Sequence, residues 1–543
     1  PSRVFFALFF ALLFGVAFVF PPDAAAAPKS PSLPGADIFD APGVVRINIE
    51  IPESGMRVLR GYHWHRNRGE DKPKVRAVVS DGERTYRNVS VQMKGAAGSF
   101  LPIDDRPGLT LNFDKHIKGQ TFHGIEKLSL NNSVQDPSFI AEKISRELFL
   151  KAGIPVPRSD FAVVTLNGRN LGLYVMAEGY NKQFLRQHFK NVKGNLYDGG
   201  FCQEVNETLN VNSGDNEEDQ SDREALVEAA EDARRENRLS GLGKVLDLDR
   251  FITMIAMEIL LCHWDGYAMN RNNYRLFSDR ESGKFIFMPH GMDQMFGVGG
   301  MGSPHTAIFP QLNGLIARTM LGTTEGRGRY RMRLGELRTN IFNSETIIQR
   351  VREIEARIGP VIAEFGPRYV RRRRDGVDHP KAVNRLCENI EIRERNLDSQ
   401  LQGPSGEVKF IRDGTALIEG WHPQMNTVNA ARFDTVVGPD GASLLSIAAD
   451  PRQSSASWRT RVVLGPGRYR LEGRARTRDA GATIRISGAR DPIIKSGETD
   501  WAQCHYDFLV EEAIVDIEII CELRGNTGAV WFDADSLKIR RLQ

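Results

Sequence analysis

The residues with the clearest chemical potential gather in one stretch, between His263 and Gly297, directly after a long apolar segment. The residues of this stretch that are candidates for chemistry are His263, Asp265, Asn270, Asn272, Asn273 and Asp293. Carboxylate and amide oxygens are the ligands that hard divalent cations take in proteins. An acid after a buried helix, amides about one turn later and a second acid after a hairpin can therefore converge on one divalent ion.

The spacing of these residues narrows the chemistry. His263-x-Asp265-x-x-x-x-Asn270 has the spacing of the protein-kinase catalytic loop. In that loop the aspartate accepts the proton of the substrate hydroxyl and the asparagine holds a metal ion. Asp293 precedes Phe296-Gly297, where a kinase places its second metal-binding aspartate. A metal-dependent hydrolase that uses His263, Asp265 and Asp293 is the alternative reaction class.

Two kinds of element must position these side chains. The apolar run from Asp249 to Cys262 predicts a buried helix that delivers the chain to His263. The segments YRLF and KFIFM then predict the two strands of a hairpin, with Asp293 beyond the second strand. The two acids are thus expected after the end of a helix and after the end of a strand.

A second group of candidates lies upstream. Lys94 ends the alternating strand VSVQMKG and leads into a small-residue loop, Gly95 to Phe100. The backbone N–H groups of such a loop can bind phosphate, with the lysine as counter-charge, although a plain hairpin loop is the alternative. Asp136 can cap the helix that follows, and Glu142 lies one turn into it. Glu142 either pairs with Arg146 at i+4 or orients Lys94.

The overall composition is that of a globular protein with several domains. The chain has 543 residues, of which 41% are hydrophobic, and its net charge of +3 demands neither nucleic acid nor an anionic membrane as a partner. Five cysteines are too few for a disulfide scaffold, and no CxxC or HExxH spacing indicates zinc. The basic run from Arg371 to Arg374 is typical of a solvated helix end.

The N-terminal residues predict export. An apolar run from Val4 to Phe20 is followed by small residues with an Ala-x-Ala pattern near Ala25, so residues 1–27 are interpreted as a signal peptide. The expected location is secreted or in the cell envelope. The run is also near the lower length for a membrane span, so an uncleaved N-terminal segment is the one membrane contact that the sequence leaves open.

Changes in composition and in hydrophobic pattern divide the rest of the chain into segments. Residues 28–43 are rich in Pro and Ala and predict a linker. Residues 44–402 predict a mixed sheet followed by a helical lobe, an α+β domain. Residues 406–543 carry short alternating strands and predict an all-β, jelly-roll-like sandwich. Its tryptophans are Trp421, Trp458, Trp501 and Trp531, which are either core residues or platforms for sugar rings.

From about Val89 to Glu394 the chain resembles the spore-coat CotH family of atypical protein kinases. The resemblance runs in the family's order through MKGAAGSF, FHGIEKLSLNNSVQDPSFIAEKISRELFLKAGIPVPR, LNGRNLGLYVMAEGYNKQFL, GNLYDG, HWDGYAMNRNNYRLF and GMDQMFG. It implies a kinase-like fold that binds ATP with Mg²⁺ or Mn²⁺ and phosphorylates protein serine or threonine. It also implies that Asp265 is the catalytic aspartate and that Asn270 and Asp293 bind the metal. Lys94 would then contact the phosphates, with Glu142 as its partner on the helix.

Three departures from the family pattern raise a second hypothesis. Gly291 stands where an acid is common, Gly95 to Gly98 replaces a loop with hydroxyl and amide donors, and Thr110 and Asn112 stand where lysines are usual. Each lost charge-assisted contact to ATP would cost about 1.5 to 3 kcal/mol. The alternative function is a catalytically degenerate surface scaffold or adhesin, whose C-terminal sandwich binds carbohydrate or a protein partner.

Overall fold

The computed structural model describes most of the chain between residues 33 and 542. The described ranges are 33–39, 41–64, 72–216, 218–236, 239–299, 302–365, 378–402, 408–425, 431–438, 441–449, 455–486, 495–510, 515–525 and 527–542. The predicted signal peptide, the start of the linker, the basic run 371–374 and most of the predicted boundary near 403–406 lie outside these ranges.

The first part of the chain forms a closed seven-stranded barrel. Its strands are β1 Val45–Glu50, β2 Lys74–Ser80, β3 Thr85–Lys94, β4 Gly108–Asn112, β5 Lys127–Asn131, β6 Ser159–Leu166 and β7 Arg169–Glu178, with helix α1 Glu53–Gly61 between the first two. The strand order is β1-β2-β3-β4-β5-β7-β6, and β6 closes the barrel by pairing in parallel with β1. All the other pairings in the barrel are antiparallel.

Alternation of side chains fixes which face of each barrel strand is buried. Leu109 and Leu111 on β4 and Leu128 and Leu130 on β5 are fully buried in the barrel core, as the period of two in a strand requires. The residues between them on the two strands, such as Thr110, lie on the opposite face and are partly exposed. The barrel therefore keeps one apolar face inside and presents a polar face to the rest of the chain.

A helical lobe with a small sheet follows the barrel, and one helix of this lobe, Ala141–Lys151, lies between the barrel strands β5 and β6 in the sequence. Its helices are α2 Ala141–Lys151, α3 Lys182–His188, α4 Ser221–Glu236, α5 Leu242–Val245, α6 Leu248–Leu260, α7 Tyr267–Asn270, α8 Leu315–Leu321, α9 Thr324–Asn340, α10 Ser344–Ala363 and α11 His379–Gln402. The sheet has the order β11-β10-β8-β9, from β8 Leu196–Asp198, β9 Asn210–Ser213, β10 Tyr274–Asp279 and β11 Lys284–Pro289. Helix α6 is buried on nearly every side, as its apolar sequence predicts.

The described C-terminal residues are all β apart from a short 3₁₀ turn at Ala534–Ser536. The strands are β12 Thr415–Leu417, β13 His422–Met425, β14 Ala431–Val437, β15 Ser443–Ala449, β16 Ser455–Leu464, β17 Gly467–Ile486, β18 Lys495–Val510, β19 Val515–Arg524, β20 Ala529–Asp533 and β21 Lys538–Leu542. The long strand β17 pairs with four neighbours, β18, β19, β20 and β21, and encloses a separate apolar core with them.

The α+β class with an all-β region at its C-terminal end is confirmed. The domain limits drawn from the sequence stay predictions, as does the likeness of the barrel and helical lobe to a kinase. Among the described residues, none of the helices combines the length and the apolar character that crossing a bilayer requires.

Candidate functional site

The Asp265 carboxylate lies inside a ring of three side-chain amides. The Nδ2 group of Asn270 donates to Asp265 Oδ1 at 2.5 Å, and that of Asn272 lies 3.1 Å from both carboxylate oxygens. The Nδ2 group of Asn273 donates to Oδ2 at 2.7 Å and to the backbone oxygen of Asp265 at 3.0 Å. Four donor contacts to the carboxylate and one to the backbone oxygen fix the position of Asp265, whose side chain is itself only half-buried. Such a carboxylate is oriented and can still reach a substrate.

The loop that carries Asp265 is anchored by a buried acid near the end of α6. Glu258 accepts the backbone N–H groups of Tyr267 and Ala268, the first residues of α7, at 3.1 and 3.0 Å. Burial raises the pKa of Glu258 to about 8. Glycine is required at position 266, because a Cβ there would lie 2.7 Å from the Glu258 carboxyl group. The anchor thus holds α7, and with it Asn270, against the end of α6.

The second acid, Asp293, follows strand β11 and is buried. Burial, together with the negative charge of Glu142, raises the pKa of Asp293 to about 6, while the charge of Lys94 acts in the opposite direction. A buried carboxylate with a second carboxylate nearby gains from an added cation, since the cation relieves both repulsion and desolvation. Asp293 therefore suits a metal ligand.

Gly291, at the position of the absent acid, packs directly against the amide ring. Its φ is +54°, and a Cβ there would lie 2.2 Å from Oδ1 of Asn273. The backbone on either side is tied to the ring as well, because the His290 N–H donates to the Asn273 carbonyl at 2.6 Å. The loop of Asp293 and the loop of Asp265 are thus in direct contact, and Asn273 fills the space that a carboxylate would need.

Lys94, Glu142 and Asp293 come from three separate elements and form one charge cluster, in which the two acids are buried and Lys94 is partly exposed. Glu142, in the first turn of α2, is 2% exposed and accepts hydrogen bonds from Arg146 Nη2 at 2.7 Å and from Asn131 Nδ2 at 2.6 Å. The positive charges of Arg146 and then Lys94, with these hydrogen bonds, hold the pKa of Glu142 below its usual value against the cost of burial. Glu142 therefore both pairs with Arg146 and acts electrostatically on Lys94.

Two further lysines accompany Lys94 on the polar face of the barrel. Lys72, just before β2, donates from Nζ to the Gly95 carbonyl at 3.0 Å, and burial together with the charge of Lys94 lowers the Lys72 pKa to about 8. Lys127 on β5 pairs in register with Asn112 on β4, and burial lowers its pKa as well. The lysines expected at positions 110 and 112 are absent, yet the face keeps a cluster of cations. No motif in the sequence marked Lys72, and Lys127, although it lies within the quoted segment FHGIEKLSLNN, was not assigned a role.

The fully buried His263 has a structural role. Its Nε2–H donates to the His290 carbonyl at 3.0 Å, and burial lowers its pKa, so the neutral ring ties the two loops of the site together. A histidine in this position is out of reach of an incoming substrate. The geometry therefore argues against the hydrolase, which needs His263 in a direct role.

The five residues assigned to catalysis, metal and phosphate fall into two sets of interacting groups. Asp265 and Asn270 are hydrogen-bonded, and Lys94 and Glu142 lie close enough to Asp293 to act on its charge. In the part of the chain that the structure describes, no three His, Cys, Asp or Glu side chains group as metal ligands. The two ligands that the resemblance assigns are one carboxylate, Asp293, and one amide oxygen, that of Asn270. As residue types they suit Mg²⁺, which commonly takes one or two carboxylates and completes its shell with phosphate oxygens and water.

Comparison with known proteins places more than half of the chain in one family. Residues 91–397 match the model of the family described as "CotH kinase protein". Inner spore coat protein H of Bacillus subtilis (strain 168) is 24% identical over 303 residues, which are 52% of this chain and 80% of that protein. Invasin CotH3 of Rhizopus delemar is 22% identical over 300 residues, which are 49% of this chain and 48% of the invasin. The chain thus spans most of the bacterial relative but about half of the fungal one.

Several of the solved structures similar to part of the chain are described as carbohydrate-binding modules. One, described as "CBM4 structure and function", is 16% identical with a TM-score of 0.19 and covers 22% of this chain and 86% of that chain. Another, TmCBM61 in complex with β-1,4-galactotriose, is 16% identical with a TM-score of 0.17 and covers 22% and 88% of the two chains. Likenesses at such TM-scores carry no argument about this protein.

Proposed function

The chain belongs to the CotH kinase protein family, and from that premise we propose that it transfers the γ-phosphate of ATP to serine or threonine of a protein acceptor. In this proposal Asp265 accepts the proton of the acceptor hydroxyl. Lys94 contacts the phosphates, and Glu142 positions Lys94. Asn270 and Asp293 hold Mg²⁺ or Mn²⁺, which supplies neutralising charge at the phosphates.

The observation that carries the proposal is the convergence of Lys94, Glu142 and Asp293. They come from the end of β3, from the first turn of α2 and from the loop after β11, and each affects the electrostatics of another. Cations on one side and a carboxylate on the other are what a phosphate group with its metal ion requires. Lys72 beside Lys94 adds positive charge where the family pattern at Thr110 and Asn112 has lost it.

The state of Asp265 supports its role as the base. Its partners in the ring are amides, which donate hydrogen bonds but do not compete with it for a proton at neutral pH. The oxygen of Asn272 accepts the Cys202 backbone N–H at 3.3 Å, so Asn272 is already engaged at both ends of its amide. Asn270, which has the spacing of the metal-binding asparagine of the kinase catalytic loop, is the member of the ring assigned to the metal by the resemblance.

The proposed setting is outside the cytoplasm. The relatives are named as a spore coat protein and as an invasin, and the apolar N-terminal run predicts export. The acceptor is then expected to be a protein of the cell surface or envelope, rich in serine or threonine.

The test is transfer of labelled phosphate from ATP to the chain itself and to a serine-rich protein, with Mg²⁺ and with Mn²⁺. Asp265→Asn and Asp293→Asn should each lower incorporation at least 100-fold. Asp249→Asn is the matched control, because its side chain is 89% exposed on the outer side of α6. Wild-type incorporation no higher than that of Asp265→Asn would refute the proposal.

A thermal-shift measurement separates binding from catalysis. ATP with Mg²⁺ should raise the melting temperature of the wild type, because a ligand that binds the native state stabilises it. A shift without phosphate transfer would favour the alternative, a catalytically degenerate surface scaffold. The absent acid at Gly291, whose place is filled by Asn273, is the observation that favours that alternative.

A further inference from the structure

Strand β17 presents a row of arginines on one face. In the first half of the strand, Tyr469 and Leu471 alternate inward into the core while every second residue points outward. The outward residues are Arg468, Arg470, Glu472, Arg474, Arg476 and Arg478. Alternate residues in a strand are about 6.6 Å apart, so this face carries a regularly spaced line of guanidinium groups.

Two tryptophans on the neighbouring strands flank this row. The guanidinium carbons of Arg474 and Arg476 both lie 5.9 Å from the ring centre of Trp501 on β18. On the other side, Arg476 and Arg478 lie 4.7 and 5.6 Å from the ring centre of Trp531 on β20. Stacking on an indole holds a guanidinium flat and in place while its edge stays open to hydrogen bonding.

The charges on the rest of this face do not balance the row. Opposite the first half of β17, strand β21 contributes Lys538 and Arg540, whereas the carboxylates on this face of β17 and its direct neighbours include Glu472, Glu498, Asp507 and Asp533. This face thus sets seven cations against these four carboxylates. Glu472, Asp507 and Asp533 pair with Arg470, Arg474, Arg540 and Lys538.

Arg468, Arg476 and Arg478 are the exposed cations left without an acidic partner, and Arg476 and Arg478 are the two that lie against the indoles. Among the residues that the structure describes, none of these three makes an ion pair. Arg476 and Arg478 stand on alternate positions of one strand and repel each other, and the packing of the core does not require them. Two guanidinium groups in this arrangement, next to two partly exposed indoles, point to an external anion.

We propose that this face, formed by the outward residues of β17 with Trp501 and Trp531, binds an acidic polysaccharide whose sugar rings carry carboxylate or sulfate groups. The planar guanidinium groups donate paired hydrogen bonds to such groups. The apolar edges of the indoles contact the faces of the sugar rings between them. The polymer lies along β17, so that successive acidic groups meet successive arginines.

Two observations favour a polysaccharide over a nucleic acid. Single-stranded nucleic acids bind through bases stacked on open aromatic faces, and here arginines already occupy faces of both indoles. The chain as a whole is also close to neutral, with 72 basic and 69 acidic residues, so it lacks the broad positive field typical of nucleic-acid binding. The proposal is independent of the phosphotransfer site, since no residue of that site belongs to this face.

The test is affinity electrophoresis of the full chain in native gels that contain polygalacturonate, dextran sulfate, neutral dextran or polyuridylate. The wild type should be retarded by the two acidic polysaccharides alone. Arg476→Ala with Arg478→Ala should raise the dissociation constant at least tenfold. The matched control is Lys409→Ala with Arg412→Ala, which removes two exposed cations from the segment before β12, outside the row on β17, and should change binding less than twofold.

Several outcomes would overturn the proposal. These are equal retardation of the wild type and the Arg476/Arg478 variant, no retardation by either acidic polysaccharide, or stronger retardation by polyuridylate. Arg476→Lys with Arg478→Lys keeps the charge but not the planar fork and should weaken binding at least threefold. This variant decides the question if the alanine variant fails to fold, which thermal unfolding detects. Raising NaCl from 0.05 to 0.5 M should weaken wild-type binding, because the contacts are exposed charges.

Discussion

Gly291 stands where the family pattern carries an aspartate, and its surroundings explain why a side chain is not accommodated. The position has a left-handed φ of +54°, and Asn273 occupies the space beside it. Asn273 also donates to Asp265 at 2.7 Å. The side chain of Asn273, which holds Asp265 in place, therefore occupies the space that an acidic side chain at position 291 would need beside Asp293.

Substitution at Gly291 tests whether side chains at positions 273 and 291 compete for the same space. We expect Gly291→Asp to lower the free energy of unfolding by about 1 to 3 kcal/mol, from backbone strain and overlap with Asn273. Asn273→Gly added to Gly291→Asp should recover part of that loss, because the overlap disappears. Urea unfolding of the four members of this double-mutant cycle measures the coupling. Additive effects of the two substitutions would show that residues 273 and 291 do not compete for one space.

The protonation of Lys72 predicts that nucleotide affinity depends on pH. Its pKa of about 8 means that it is largely charged at pH 7 and largely neutral at pH 9. If Lys72 contributes to phosphate binding, the affinity for ATP with Mg²⁺ should fall several-fold as pH rises through 8. Lys72→Met should bind more weakly at pH 7 and lose that dependence. Isothermal titration at pH 7, 8 and 9 measures both effects, and an unchanged pH profile in Lys72→Met would exclude Lys72 from the site.

At the scale of elements, the junction of α6 and α7 depends on one buried carboxyl group. The pKa of Glu258 is about 8 in the folded chain, whereas an unfolded glutamate titrates near 4.3. The folded state therefore holds more protons than the unfolded state between these values. It follows that the contribution of Glu258 to stability is fully present below about pH 4.3 and is lost as pH rises through 8.

Glu258→Gln should remove this dependence. Relative to the variant, the wild type should lose stability between pH 5 and pH 8, with a slope of at most about 1.4 kcal/mol per pH unit. Chemical unfolding of both proteins at pH 5, 6.5 and 8 gives the difference. A difference that stays constant over this range would show that Glu258 is ionised in the folded chain.

Local elements could be read from the sequence, and the closure of the barrel could not. An Asn-Gly pair between two apolar segments is a sequence signal for a tight hairpin, and Asn167-Gly168 has positive φ at both residues between β6 and β7. The pairing of β1 with β6 joins residues more than 100 positions apart, and no local pattern encodes it. The site divides in the same way. Asp265 and its three asparagines are neighbours in sequence, so their grouping could be predicted. Lys72 reaches Gly95 only because β2 and β3 pair.

At the scale of the whole molecule, Phe309 connects the helical lobe to the C-terminal β region. The guanidinium carbon of Arg461, on β16, lies 5.2 Å from the Phe309 ring centre, and that of Arg327, on α9, lies 5.1 Å from it. Arg461 Nη2 also donates to the Phe309 carbonyl at 2.8 Å. One aromatic ring is thus in contact with arginines from both parts of the chain.

Loss of this contact should separate the unfolding of the two parts. We expect Phe309→Ala to move the melting temperatures of the helical lobe and the β region apart, because interfaces of this kind set the cooperativity between domains. Differential scanning calorimetry measures the change. Arg459→Ala is a suitable control, since Arg459 pairs with Glu518 on β19, within the β region. Identical transitions in Phe309→Ala and the wild type would mean that the ring does not couple the two parts.

The ring of amides around Asp265 has a consequence for the fate of the transferred proton. Asn270, Asn272 and Asn273 stabilise the carboxylate, but an amide cannot take a proton onward. In the proposed reaction, a proton received by Asp265 would thus find no relay among the three amides that hold it. It would have to leave through water that enters as product departs, and the base would then be regenerated at the rate at which the site opens to solvent.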